Sequence, residues 1–119
     1  MPVTVRPLDL GPFRVDPPVV LAPMAGVTDA PFRVLCAGFG GGLFVNQMVT
    51  ARALVENHPT SWALTRFHPR ESVRSLQLYG TDPGYLSEAV RRLVGDGRVD
   101  HLDLNFGCPA KTVNRNEGG

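Results

Sequence analysis

The chain has little of several features that mark particular classes of protein. Its 119 residues include only two cysteines, Cys36 and Cys108, which excludes a disulfide-dense secreted scaffold and a paired-cysteine zinc site. The 12 Lys and Arg residues nearly balance 11 Asp and Glu, so charge does not indicate a nucleic-acid partner. No apolar run reaches the roughly 18 residues needed to span a bilayer, and the amino terminus lacks a secretory layout. We expect a cytoplasmic, globular protein with no metal and no membrane partner.

Glycine and proline are abundant, and they separate short apolar runs along the chain. Four of these runs have strand length and predict strands at residues 19–22, 43–49, 74–79 and 101–105. Capping signals at Asp29 and Asp82 predict helices at residues 30–38 and 82–94. The segment 51–67 is predicted to be helical in parts, with an interruption at Pro59.

Both predicted helices carry apolar residues at the spacing of a single buried face. For the first helix this face comprises Phe32, Leu35, Cys36 and Phe39. For the second helix it comprises Leu86, Val90 and Leu93. Cys36 is accordingly expected to be a core residue.

Strands and helices that alternate with short connections indicate a parallel sheet, either closed as a barrel or open and doubly wound. Alternation within the third and fourth strands separates an apolar face from a polar one, which favours a barrel over a sheet covered on both faces. The residues expected to face the helices are Leu76, Leu78, Leu102 and Leu104, and those expected to face the barrel axis are Gln77, Asp103 and Asn105. The predicted fold class is therefore α/β: the first four βα units of a TIM (β/α)8 barrel, truncated at residue 119, with residues 1–17 covering its bottom.

The segments that follow the strands are where such a barrel carries its function. Cys108 lies between Gly107 and Pro109 directly after the fourth strand, so its thiol is expected to be displayed in a loop. An incidental, half-buried turn thiol is the alternative. Lys111 follows three positions later, where it could contact an RNA phosphate or be an exposed loop charge.

Four strings in these segments carry a family resemblance: LAPMAGVTDAPFR at 21–33, MVTARAL at 48–54, LQLYG at 76–80 and DLNFGCPAKTVNRNEGG at 103–119. In content, order and spacing they resemble the bacterial tRNA-dihydrouridine synthases. The resemblance implies an enzyme that holds FMN at the mouth of a TIM barrel, takes electrons from NADPH and reduces selected uridines of a tRNA substrate to 5,6-dihydrouridine.

The resemblance also assigns roles to residues. It implies hydride transfer from the flavin to C6 of uracil and protonation of C5 by the thiol of Cys108. The family's flavin-contacting positions fall on Pro23, Met24, Ala25, Gln77 and Asn105. Without the resemblance, the alternatives are that Gln77 is a polar layer residue of the barrel and Asn105 a turn-forming side chain.

The sequence departs from the family's pattern in two respects. Gln47 precedes Met48 where relatives often carry a glutamate, so an amide replaces a carboxylate. The family's further catalytic-site lysine and histidine and its helical RNA-binding domain would lie beyond Gly119. Residues 1–119 are thus expected to be the amino-terminal part of the catalytic domain, inactive alone, and monomeric when full length. The alternatives are an FMN-dependent barrel enzyme acting on free pyrimidines, or an inactive half-barrel.

Overall fold

The computed structural model describes residues 2–107, which form six strands and four helices. In chain order these elements are β1 (Leu8–Leu10), β2 (Phe13–Val15), β3 (Val20–Leu21), α1 (Ala30–Ala37), β4 (Leu43–Thr50), α2 (Ala51–Val55), α3 (Pro59–Ala63), β5 (Ser75–Tyr79), α4 (Pro83–Gly95) and β6 (His101–Asn105).

Strands β3 to β6 form one parallel sheet in the order of the sequence. In a doubly wound sheet the strand order reverses near the first strand, whereas a (β/α) barrel adds each strand beside the preceding one. The sequential order therefore confirms the predicted α/β fold, in the arrangement of the amino-terminal part of a TIM barrel. The four predicted strands agree with the structure to within one residue at each end.

The helices begin where the sequence predicts. Asp29 caps α1 by accepting a hydrogen bond from the backbone N–H of Phe32 at 3.0 Å, and Asp82 caps α4 by accepting one from Tyr85 at 3.0 Å. The intervening segment is helical in parts, as predicted, and forms two short helices. Its second helix, α3, starts at Pro59, which has no N–H to donate and suits the first turn.

The main core lies between the sheet and the helices. Leu76 and Leu78 of β5 are fully buried against Leu93 of α4 and its neighbours, and Leu102 of β6 packs on the same cluster. These three leucines confirm the predicted helix-facing side of the sheet. Leu104 shares that face but is 44% exposed, because β6 is the edge strand of the described residues and no described helix follows it.

A smaller core closes the amino-terminal ends of the strands. β1 and β2 pair as an antiparallel hairpin, and Val15 of the hairpin is buried against Leu43 and Val45 of β4. Val45 pairs with Ser75, so this contact lies on the inner face of the sheet. The hairpin thus covers the bottom of that face, as predicted for the lead-in segment.

The predicted buried face of α1 is wrong at two of its four positions. Leu35 is 62% exposed and Phe39, which lies beyond the last residue of the helix, is 88% exposed, while Cys36 is only half-buried. The side chain that α1 buries is Arg33, at 1% exposure. Its guanidinium donates to the Glu71 carboxylate and to other oxygen acceptors beneath the helix. Because a paired charge can be buried, the side of the helix that carries Arg33 faces inward, and Leu35 and Phe39 lie outside it.

Arg74 and Asp100 join the amino-terminal ends of β5 and β6. Arg74 donates from Nη2 to Asp100 Oδ1 at 2.8 Å and from Nε to Oδ2 at 2.9 Å. Hydrogen bonding from Arg74 lowers the pKa of the Asp100 carboxyl below its usual value. A carboxyl whose pKa is lowered in the folded state stabilises the fold above its unfolded pKa of about 3.9 and loses this contribution as the pH falls through the folded value.

Asp100→Asn is therefore expected to lower the free energy of unfolding by about 1 kcal/mol near neutral pH and by progressively less as the pH falls below about 4. Denaturant unfolding of both forms across that pH range measures the difference. Asp96→Asn is the control, because Asp96 is 61% exposed and lies 3.7 Å from Arg98. A loss for Asp100→Asn that is constant across pH would contradict the assignment.

Candidate functional site

A row of polar side chains runs along the inner face of β5 and β6 towards the carboxyl ends of the strands. Near its base, Ser75 Oγ and His101 Nδ1 lie 2.8 Å apart, so His101 links β6 to β5. One step higher, Gln77 Nε2 donates to Asp103 Oδ2 at 2.5 Å. At the top, Asn105 Nδ2 donates to Gln77 Oε1 at 3.4 Å. The row confirms the predicted axis-facing set and brings two predicted flavin residues, Gln77 and Asn105, into contact.

Strand β4 contributes a bulge beside this row. Asn46 pairs with Leu76 and Val49 pairs with Leu78, so both Gln47 and Met48 lie opposite the single residue Gln77. Met48 Sδ is 4.0 Å from Asn105 Nδ2. Strict alternation along β4 would place Gln47 and Met48 on opposite faces, and the sequence pattern carries no signal for the irregularity.

The loop after β3 holds the other predicted flavin residues, Pro23, Met24 and Ala25. It folds around the Met24 carbonyl oxygen, which accepts from the backbone N–H groups of Val27 and Thr28, each at 3.0 Å. Thr28 Oγ1 in turn accepts from Met24 N at 3.0 Å. Met24 and Ala25 remain exposed at the carboxyl end of the strand, so the loop can present its backbone to a ligand.

Gln47 connects this loop to the bulge. Its Oε1 accepts a hydrogen bond from the backbone N–H of Gly26 at 2.8 Å, and Gly26 has a φ of +72°, which favours glycine. An amide oxygen can accept this bond as well as a carboxylate oxygen. The departure from the family's glutamate therefore leaves this contact in place and removes only a charge.

Arg33 supports both the loop and the bulge from the helix side. Its Nη1 donates to the carbonyl oxygen of Thr28 at 2.7 Å and to Asn46 Oδ1 at 2.8 Å. Asn46 Oδ1 also accepts from the backbone N–H of Gln47 at 2.8 Å. Glu71 neutralises the guanidinium through a 2.5 Å contact between its Oε1 and Arg33 Nε. The sequence pattern does not predict this network; its one signal is an arginine placed among apolar positions of a helix.

Asn105 has a second contact that links the row to the following loop. Its Oδ1 accepts from the backbone N–H of Gly107 at 3.0 Å, so the turn-forming role considered for this residue is present alongside its contact with Gln77. Cys108 and Lys111, the predicted proton donor and the predicted phosphate contact, lie outside the described residues. Their roles remain predictions.

A cleft of about 560 Å³ lies at the carboxyl ends of β4 and β5, and one of its lining residues, Tyr79, pairs with Asn105 of the row. Tyr79 and Tyr85 line it together with Arg52, whose guanidinium lies 5.6 Å from the centre of the Tyr85 ring and pairs with Glu56 at 2.9 Å. None of the five predicted flavin residues lines this cleft.

Among residues 2–107, no group of three or more acidic, histidine or cysteine side chains could hold a metal ion. None of the helices in this range has the length and hydrophobicity of a membrane span.

The fold and the site together define a segment of a (β/α) barrel with amide side chains grouped at the carboxyl ends of its strands. The family model described as dihydrouridine synthase (Dus) matches residues 20–119, and the chain belongs to this family. This establishes the family resemblance that the sequence motifs predicted.

Individual relatives agree with the family assignment. The chain is 50% identical over 119 residues to a probable tRNA-dihydrouridine synthase of Mycobacterium tuberculosis. The aligned region covers 94% of this chain and 31% of that protein. It is 42% identical over 104 residues to tRNA-dihydrouridine synthase B of Pseudomonas aeruginosa, covering 87% of this chain and 31% of that protein. The chain thus spans about a third of the length of these curated relatives.

Proposed function

We propose that the whole protein is a tRNA-dihydrouridine synthase that holds FMN and uses NADPH to reduce uridine in tRNA. The observation that carries this proposal is the grouping of the Gln77 and Asn105 amides on the inner face of the sheet, at the edge where the Pro23–Ala25 loop ends β3. Relatives that bear the name tRNA-dihydrouridine synthase support the same activity.

The residues at this edge fit the flavin ring by the chemistry of their donors and acceptors. The pyrimidine edge of the ring needs both donors and acceptors, and each amide of Gln77 and Asn105 supplies both. The Met24–Gly26 backbone is exposed at the end of β3 and is held in a fixed shape by Thr28 and Gln47. When bound, FMN would supply the hydride that the reduction of uracil requires.

Cys108 is proposed as the proton donor to C5 of uracil. A proton donor must be protonated at neutral pH, and an ordinary thiol, with a pKa of about 8.5, meets this condition. Asn105 fixes the backbone at Gly107, one residue before the thiol, so the proposed acid follows directly on the proposed flavin contact. Cytoplasmic location and a monomeric whole protein remain predictions.

The cleft beside the row is proposed to contact the tRNA. A guanidinium stacked on a tyrosine ring suits both a phosphate and an unstacked base, and Arg52 over Tyr85 has this arrangement. Lys111, in the loop after β6, is proposed as a further phosphate contact. The pyrimidine-enzyme alternative is not favoured, because the relatives are named for tRNA.

The experiment that tests the function uses the whole protein. We expect it to purify with bound FMN and to convert uridine to dihydrouridine in tRNA from a strain that lacks the modification, with NADPH as reductant. Mass spectrometry of digested tRNA measures the gain of two hydrogens, and parallel reactions with NADH and without reductant are the controls. Reduction of free uracil but not of tRNA would instead support a free-pyrimidine enzyme.

A further inference from the structure

Four groups at the upper end of β5 and β6 form a hydrogen-bond chain with a single direction. Gly107 N donates to Asn105 Oδ1, Asn105 Nδ2 donates to Gln77 Oε1, and Gln77 Nε2 donates to Asp103 Oδ2. A backbone N–H can only donate, and a carboxylate can only accept. Because each end of this hydrogen-bond chain has only one possible role, the two ends determine the orientation of both amides between them.

This chain also fixes what the two amides offer to a ligand. Gln77 Nε2 keeps a second hydrogen and Gln77 Oε1 keeps a second lone pair, while the second hydrogen of Asn105 Nδ2 has only the long 4.0 Å contact with Met48 Sδ. Read in order, Asn105 Nδ2 offers a donor, Gln77 Oε1 an acceptor and Gln77 Nε2 a donor. The complement of this pattern is an imide edge, in which an N–H lies between two carbonyl groups. The flavin ring and uracil both have such an edge.

We infer that Asp103 is a positioning residue that locks the Gln77 amide in the orientation that recognises an imide edge. The register of the sheet places the two residues directly opposite each other, and the 2.5 Å bond joins them. If the carboxylate were lost, only the long 3.4 Å hydrogen bond from Asn105 Nδ2 would hold the Gln77 amide, so its turned-over orientation would be populated more often. That the recognised imide edge belongs to the flavin ring rests on the proposed function.

Asp103→Asn in the whole protein tests this role, because asparagine has nearly the same shape but can present either a donor or an acceptor to Gln77. We expect the Kd for FMN to rise about threefold to tenfold, as for the loss of one well-made hydrogen bond. We also expect the midpoint potential of the bound flavin to become less negative, since a carboxylate near the ring disfavours its reduction. Fluorescence titration and redox titration measure the two quantities.

Ser75→Ala is the matched control. It removes the equivalent contact with His101 on the same face of the same two strands, two residues below Gln77, and Ser75 is as buried as the core leucines. If both side-chain pairs had only a structural role, Asp103→Asn and Ser75→Ala would have similar effects on FMN affinity and potential. The positioning role predicts that Ser75→Ala changes neither FMN affinity nor potential.

The outcomes separate this inference from the proposed function. Absence of FMN binding by the unaltered whole protein would refute the proposed function. Weaker tRNA binding by Asp103→Asn at unchanged FMN affinity would support the locking role and assign the imide to uracil. Unchanged FMN affinity, potential and tRNA binding would overturn the inference.

If Asp103→Asn alone fails to fold, the double variant Gln77→Glu with Asp103→Asn provides a second test. Its asparagine at 103 can donate to the new carboxylate at 77, so the contact between the strands is restored. The side chain at 77 then has no donor to offer the imide. We expect weaker FMN binding than in the unaltered protein, and equal binding would overturn the inference.

Discussion

Replacing Arg33 by methionine is expected to lower the free energy of unfolding of the whole protein by about 3–5 kcal/mol. Methionine keeps much of the volume of the side chain but removes the partner of Glu71, whose side chain is only 6% exposed. Removing one member of a buried ion pair is costly because the other charge stays in a poorly solvated place. The change also removes the Arg33 donor from the carbonyl oxygen of Thr28 and from Asn46 Oδ1, which keeps only the backbone N–H of Gln47.

Arg91→Met is the matched control for this experiment. Arg91 also pairs with a glutamate, Glu88, but its side chain is 71% exposed, and Glu88 keeps Arg92 as a second partner. Exposed pairs of this kind contribute about 0–1 kcal/mol, so little change is expected. Thermal and denaturant unfolding measure both variants. Equal effects of Arg33→Met and Arg91→Met would show that burial does not decide the strength of these pairs.

The double variant Arg33→Met with Glu71→Met separates the cost of an orphaned charge from the loss of attraction. Apolar residues of similar volume often replace a buried ion pair at little cost. We therefore expect the double variant to recover part of the stability that Arg33→Met loses. Both variants are expected to bind FMN more weakly than the unaltered whole protein, because both lack the hydrogen bond from Arg33 to the Thr28 carbonyl oxygen that supports the Pro23–Ala25 loop.

The parts of the fold that could be predicted are those that local patterns determine. Alternation in β5 and β6 identifies both faces of the sheet, and the structure places Leu76 and Gln77 on opposite sides as expected. Asp29 and Asp82 mark the two helix starts because a capping side chain acts within its own turn. The short βα connections indicate a parallel sheet, and the alternation within β5 and β6 favours the strand order of a barrel.

The parts that could not be predicted depend on contacts between distant segments. Leu35 and Phe39 have the spacing of a buried face, yet they are exposed because Arg33 finds Glu71, which lies 38 positions further along the chain. The bulge at Gln47 and Met48 likewise depends on Asn46, whose partners come from α1 and from Leu64. The spacing of apolar residues along the sequence does not indicate contacts between such distant residues.

The candidate site was predictable to a similar extent. Spacing and parity brought Gln77 and Asn105 to one face, and the resemblance supplied the loop residues Pro23 to Ala25. The directional role of Asp103 was not apparent, because it depends on which atom of the Gln77 amide faces the carboxylate. The register of the sheet places Asp103 opposite Gln77, but which amide atom faces the carboxylate depends on the donors and acceptors of both side chains.

Cys108→Ala in the whole protein is expected to slow tRNA reduction at least about a hundredfold, the usual effect of removing a general acid. FMN content and NADPH oxidation should stay near the unaltered values, because the proposed proton transfer follows the reduction of the flavin. Single-turnover reduction of tRNA by the prereduced enzyme measures the slow step, and stopped-flow absorbance measures oxidation of NADPH.

Cys36→Ala is the control for this prediction, because it removes the other thiol of the chain, on α1, well away in sequence from the segment after β6. It is expected to leave tRNA reduction unchanged. Cys108→Ser adds a graded test: a hydroxyl has the shape to reach the uracil but is a far weaker acid than a thiol, so its rate should lie close to that of the alanine variant. If Cys108→Ala lost FMN in proportion to activity, the cysteine would instead be a structural part of the flavin site. If Cys108→Ser kept full activity, the greater acidity of the thiol would not limit the rate, and the graded prediction would be wrong.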